Sequence, residues 1–205
     1  MSTAKNPTQE ATDAANAHSG SLPKGLAMLE LLSSENAPMA VTTLARHMDM
    51  PKSGVHRLLQ VLRTLGWVRQ TPAGEYECTL KLWELGQRLA NRVDLRSAAA
   101  AAMRALAEQT RETILLSILD GTEVLYVDVI DSPQPVRAHT QPGDRAPAYC
   151  MATGKAMLAY APPAVIDRIV ENFEVFTPLT ITTREQLEKE LERVRRKGFA
   201  FIRGE

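Results

Sequence analysis

The stretch Pro51-Lys52-Ser53-Gly54-Val55-His56-Arg57-Leu58-Leu59-Gln60-Val61-Leu62-Arg63-Thr64-Leu65-Gly66-Trp67-Val68 carries two patterns at once. Val55, Leu58, Leu59, Leu62 and Leu65 recur at steps of three and four, the spacing of one buried helical face. Lys52, Ser53, His56, Arg57, Gln60, Arg63 and Thr64 fall on the opposite stripe, and no acidic residue interrupts the run. The spacing predicts a helix over 52–65, stopped by Gly66.

Upstream, Leu22, Leu26, Leu29 and Leu32 predict a first helix, capped by Ser21 with Pro23 in its first turn. Asn36-Ala37-Pro38 ends it. A short second helix carries Leu44, Ala45 and Met48, with Thr42 or Thr43 as its cap, and Asp49-Met50-Pro51 is the tight connection to the third. Downstream, two extended pieces, residues 67–70 and 75–79, flank Thr71-Pro72-Ala73-Gly74 and read as a β-hairpin. Three helices followed by a hairpin make a winged helix-turn-helix over residues 21–80. A fourth helix from Leu82 to about Arg92 shows Leu82, Leu85 and Leu89 on one side and reads as a linker, so that residues 81–95 join the two halves.

The third helix has what a DNA-reading helix needs: one face packed on its domain, the other free for the major groove. Lys52, Arg57 and Arg63 suit phosphate or guanine, Ser53 suits phosphate, and Gln60 suits adenine. Gly54 and His56 lie in the same stretch, and Arg69 with Gln70 on the wing would reach adjacent backbone. The alternative is a winged helix that turns this face to a protein partner without binding an operator. Formal net charge is zero, so the case rests on distribution. The acids of residues 21–80, Glu30, Glu35, Asp49, Glu75 and Glu77, all lie outside the third helix.

The remaining residues, 96–205, change character. A helix from Leu95 to Thr110 contains five consecutive alanines. Strands at residues 113–119 and 123–130 are joined through Asp120-Gly121, a hairpin signal. Residues 135–140 form a candidate third strand. A helix over 151–160 follows, then Pro162-Pro163 and a helix over 164–172. Thr183 with Gln186 has capping-box spacing for a helix ending at Gly198, and residues 199–203 are expected to open another strand. The whole reads as an α+β protein. Residues 1–20, rich in Ala, Asn, Thr and Ser, are expected to be a disordered tail.

Several chemistries are unsupported. Cys78 and Cys150 are the only cysteines and form no ligand pair, so neither metal site nor cofactor is expected. Thr153-Gly154-Lys155 resembles the end of a phosphate loop, but Tyr149 and Ala156 stand where that loop needs glycine and a hydroxyl. Lys155 is expected on the surface or beside an acid. Nothing marks His139 as a base for Cys150, so no catalytic residue and no enzyme are expected. No apolar run spans a bilayer and no secretory leader is evident, which predicts a cytoplasmic protein.

Three stretches resemble the IclR family of bacterial transcriptional regulators. They are Leu44-Ala45-Arg46 with Pro51 to Leu59, then Leu65-Gly66-Trp67-Val68, and then Pro142-Gly143-Asp144-Arg145-Ala146-Pro147 with Ala152-Thr153-Gly154-Lys155-Ala156-Met157-Leu158-Ala159. The resemblance implies a winged helix, a linker helix used in dimerisation and a GAF-like α/β effector domain. It also implies a homodimer or dimer of dimers, which would read double-stranded DNA at a pseudo-palindromic operator. The implied effector is a small carboxylate, lined by Ala146, Tyr149, Met151, Ala152 and Thr153; a helix beginning at Met151-Ala152 directs free backbone N–H groups toward such a ligand. Against the family pattern, Gly54 replaces a usual Thr, Asp49 replaces a usual Gly, and the chain stops early, so the effector domain is expected to be incomplete at its C-terminus.

Overall fold

The computed structural model describes residues 20–90, 95–136 and 140–204. Residues 1–19 of the expected tail over 1–20, the last two residues of the expected linker helix and the centre of the candidate strand at 135–140 lie outside the described residues. The chain divides between Val93 and Asp94 into two compact units.

The first unit runs α1 (Ser21–Ser34), α2 (Val41–His47), α3 (Lys52–Thr64), β1 (Val68–Gln70), β2 (Tyr76–Cys78) and α4 (Lys81–Ala90). Its core is Met28, Leu31, Leu32, Leu44, Met48, Val55, Leu59, Leu62, Val68 and Tyr76. The third helix matches the predicted one except at its end: Val55 and Leu59 are fully buried, but Leu65, expected on the buried face, is the exposed residue that ends the helix. β1 and β2 pair antiparallel, Val68 opposite Cys78 and Gln70 opposite Tyr76. Tyr76 also exchanges both backbone hydrogen bonds with Met39, each 2.8 Å, which ties the wing to the segment before α2. Asp49 takes a left-handed φ of 47°, a conformation that Asp tolerates better than most side chains.

Three expectations in this unit are corrected. Ser21 is the first helical residue and Gly20 the cap, without a side-chain bond. α2 is capped by Ala40, because the helix starts at Val41, ahead of both threonines. Leu22 and Leu26 are exposed, because α1 is apolar on more than one side and the core takes the Ala27, Met28 and Leu31 side. With Val61, Leu65, Leu82 and Leu85 they line an open apolar groove of about 580 Å³. The C-terminal end of α3 is completed by a device the sequence did not signal: Lys81 Nζ donates to Leu65 O at 2.7 Å and lies 4.8 Å from the centre of the Trp67 ring.

The second unit runs α5 (Leu95–Thr110), β3 (Ile114–Asp120), β4 (Glu123–Ile130), β5 (Arg145–Pro147), α6 (Ala152–Leu158), α7 (Pro163–Val170) and α8 (Arg184–Lys197). The sheet is antiparallel in the order β3-β4-β5. Asp120 pairs with Glu123, so the hairpin loop is Gly121-Thr122, with Gly121 at a φ of 65° that suits the first position of a tight hairpin turn. A bulge shifts the register between Leu116 and Ser117. Arg145 fastens β5 to this hairpin through Asp120 at 2.6 Å and Glu123 at 3.2 Å. The core beneath the sheet is Val124, Tyr126, Tyr149, Cys150, Leu158, Ile169, Leu187, Leu191 and Val194. Thr183 Oγ1 accepts from Gln186 N, and the Gln186 side chain accepts from Thr182 N, so the predicted capping box closes one residue early.

The third strand of this sheet is Arg145–Pro147, which pairs with Glu123–Leu125; among the described residues of 135–140 there is no strand. Residues 199–204 likewise form no strand among the described residues, since no neighbouring strand offers them a ladder. Lys155 is not on the surface: it is fully buried and donates to Phe201 O at 3.3 Å.

Gly154 shows why α6 sits where it does. A Cβ placed there would lie 2.0 Å from Ala148 O and 2.5 Å from Ala148 Cα, so helix and preceding chain touch backbone to backbone. Gly154→Ala is therefore expected to destabilise the second unit by about 3 kcal/mol or more, at or beyond the top of the usual overpacking range. Urea unfolding followed separately for the two units checks this: the second unit's midpoint should fall while that of the first stays in place.

Candidate functional site

The first unit presents α3 and the wing on one continuous surface. Lys52, Ser53, His56, Arg57, Arg63 and Arg69 are exposed, and Gly54 and Gln60 are half-buried. Lys52 and Arg57 make no ion pair among the described residues, so both cations are available to an anion. A side chain at Gly54 would find room, since its Cβ would meet only the flexible tip of Met50 at 3.3 Å. Arg69 lies exposed on the wing strand β1, where an ion pair engages it. It sits opposite Glu77 in the hairpin and donates to that carboxylate at 2.7 Å. Its side chain keeps 71% of its exposure, and a pair this exposed holds by no more than about 1 kcal/mol. A phosphate can therefore compete for it. Arg63 is engaged with Gln60 and Gln70. Arg46 and His47 end α2 and add basic character to the first helix of the helix-turn-helix pair.

The second unit brings Met151, Ala152 and Thr153 together at the start of α6, with Met151 as the cap residue. Ala146 lies on β5, in register with Val124. Thr153 Oγ1 is buried and has no partner of hydrogen-bond geometry among the described residues, yet it is close enough to the Tyr126 phenol to oppose part of the rise that burial imposes on that group. An orphaned buried hydroxyl costs stability unless something else meets it. Tyr126 was not singled out from the sequence. The signal was present in the alternation of β4, where Val124 and Tyr126 point to the same side and are both buried.

Tyr149 does not join this group as an available hydroxyl. Its O–H donates to Glu174 O and accepts from Glu174 N, both at 2.8 Å, so its bonding is spent on the chain after α7. The ring meets Phe173 edge-on at 5.1 Å. It also lines an open pocket of about 540 Å³ with Thr122, Pro147, Arg168 and Asn172. Burial is the main reason its phenol is pushed up to about 12. Cys150 is buried, and Cys78 half-buried with its thiol pushed up by burial and by Glu77. No group of three or more metal-ligating side chains occurs among the described residues. No described helix is long and apolar enough to cross a membrane.

The Tyr149 clamp carries a signed pH dependence. Its folded pKa lies above the ordinary phenol value, so its stabilising contribution is complete below pH of about 10 and is lost as pH rises toward about 12. Tyr149→Phe is expected to lower the second unit's stability at neutral pH by about 1–3 kcal/mol, through the two unmet Glu174 groups. It should also flatten the alkaline decline, as read by urea midpoints between pH 9 and 12.

Comparison with known proteins agrees with this division. The family model described as the IclR helix-turn-helix domain matches residues 21–72, and that described as bacterial transcriptional regulator IclR C-terminal matches residues 87–205. The chain is 39% identical over 168 residues to the HTH-type transcriptional regulator KdgR of Escherichia coli, covering 80% of this chain and 64% of that protein. It is 31% identical over 184 residues to XynR of the same organism, covering 88% and 73%. The chain thus spans less than two thirds of KdgR and somewhat more of XynR. The crystal structure of Thermotoga maritima IclR superposes with a TM-score of 0.69 at 28% identity, covering 89% of this chain and 75% of that one. Two family models, one within the first unit and one covering all of the second, establish that the chain belongs to the IclR family of bacterial transcriptional regulators.

Proposed function

We propose that the chain is a sequence-specific DNA-binding transcriptional regulator controlled by a small organic-acid effector, and not an enzyme. The observation that carries the reading is the acid-free outer face of α3, on which Lys52 and Arg57 are exposed and make no ion pair among the described residues. Lys52, Ser53, Gly54, His56, Arg57 and Gln60 face the major groove, while Arg63 and Arg69 extend that surface onto the wing side. The protein acts as a homodimer or dimer of dimers on a pseudo-palindromic operator. Supporting this, the groove between α1, the end of α3 and α4 leaves Leu22, Leu26, Val61, Leu65 and Leu85 open to water, apolar surface that a second copy would remove.

The effector is a small carboxylate held around Ala146, Met151, Ala152 and Thr153. The support is the unmet Thr153 hydroxyl, with the Tyr126 phenol close by. Tyr149 contributes to this region as a wall whose hydroxyl is already bonded. Ligand control follows from differential affinity: an acid that binds one arrangement of the protein better shifts the population toward it.

Two experiments test the parts separately. Operators enriched from random duplexes are titrated against wild type, Arg57→Ala and Lys52→Ala across a salt series. Each variant is expected to bind more weakly and to lose about one phosphate contact from the salt slope, roughly 0.9 in log–log units. Unchanged affinity and slope in both would remove α3 from the interface. For the effector, thermal shifts are read with benzoate-type aromatic acids and short 2-keto acids. Thr153→Val is expected to raise the melting temperature of the free protein, since it deletes an unmet buried hydroxyl, and to abolish the ligand-induced shift. An undiminished shift in that variant would place the site elsewhere.

A further inference from the structure

The exposed face of α3 is not a set of independent side chains. Arg63 Nη2 donates to Gln60 Oε1 at 2.6 Å, and Arg63 Nη1 reaches Gln70 Oε1 at 3.4 Å. Gln70 is itself held by the wing turn, donating from Nε2 to Gly74 O at 3.0 Å. Gln60 Nε2 faces His56 Nε2, one turn earlier on the helix, at 3.5 Å. A guanidinium has donors only, so each glutamine atom that it meets is the oxygen. Two amide orientations are thereby assigned by chemistry. Gln60 lies along the helix axis, oxygen toward Arg63 and nitrogen toward His56. An amide nitrogen only donates, so in this contact Gln60 Nε2 can serve only as donor and His56 Nε2 as acceptor.

We propose that Arg63 is a positioning residue: it yokes the recognition helix to the wing and fixes which end of the Gln60 amide donates and which accepts toward a base edge. The inference rests on the DNA-binding reading of α3. A planar fork suits the task because it reaches two oxygens on two different elements at once, which a lysine ammonium on a flexible stem does not hold in one plane. In water the bonds are exposed and individually weak. Once a duplex covers them, the local dielectric falls and the same bonds strengthen, so an arrangement present beforehand need not be ordered at the moment of binding. A glutamine of fixed polarity reads a base pair in one sense only, because the major-groove edge distinguishes donor from acceptor at each position. A glutamine free to flip reads both senses and discriminates less.

The test uses the full chain in two states. In the free, isotopically labelled protein, Arg63→Met should move the side-chain amide resonances of both Gln60 and Gln70, and Gln70→Leu should move those of Gln60 through Arg63. Unmoved Gln60 and Gln70 resonances in Arg63→Met overturn the yoke. On enriched operators, Arg63→Met should lose about tenfold discrimination at one base pair per half-site, with the salt slope kept, and Arg63→Lys should not restore it. A uniform loss of affinity across sequences, with the slope reduced and Lys restoring both, would make Arg63 an ordinary phosphate contact and overturn the proposal. Arg57→Ala separates the two levels. Where it weakens binding uniformly and Arg63→Met changes nothing, the yoke alone fails. Where wild type enriches no sequence at all, the DNA-binding reading fails and this role fails with it.

Discussion

One packing contact organises the first unit: the Val55, Leu59 and Leu62 side of α3 seals against α1, α2 and the hairpin. Burying a side chain of this size stabilises by about 1.5–3 kcal/mol, and the helix has three such anchors. Once that face is committed, geometry leaves Lys52, His56, Arg57 and Gln60 outward, because residues half a turn away cannot share the seal. The cationic surface is thus a consequence of the core. A substitution that rotated the buried stripe would turn the outer face with it, even with every basic residue retained.

The second unit is governed by proximity of another kind. α6 approaches the Ala148 backbone so closely that no side chain fits at Gly154, and this brings the start of α6, with the Thr153 hydroxyl, close to the buried Tyr126 phenol. The signature Thr153-Gly154-Lys155 therefore has a packing explanation at two of its three positions. Gly154 is small because of Ala148, and the Lys155 ammonium is drawn inward to a backbone carbonyl of Phe201. Only Thr153 is left with bonding capacity to spare.

How much was legible in the sequence follows from which interactions are local. α3 carried its own evidence, because its apolar and polar stripes both repeat with the helical period, and the Thr183 cap and Gly198 stop of α8 are encoded within a few residues. The β3–β4 hairpin announced itself through its turn, displaced by a single residue. Long-range partners were not legible. Tyr149 with Glu174 and Lys81 with Leu65 each depend on where a distant element packs. The third strand was misplaced for the same reason: Arg145–Pro147 is short, with an exposed charge and a proline, and becomes a strand only because β4 offers it an edge. Leu22 and Leu26 fitted the periodicity of α1 but lie on the side that the core did not take.

The double backbone bond between Met39 and Tyr76 has an effect on how the first unit comes apart. It joins the strand at the wing's base to the chain that leads into α2, and Tyr76 lies at the centre of the core with 1% of its surface exposed. The hairpin therefore has no hinge of its own. Fraying it means lifting that tyrosine from the hydrophobic interior and releasing the first two helices together. The base of the hairpin thus opens in the same cooperative event as the helices, and the Tyr76 and Met39 amide protons are expected to exchange with solvent only when the whole unit unfolds.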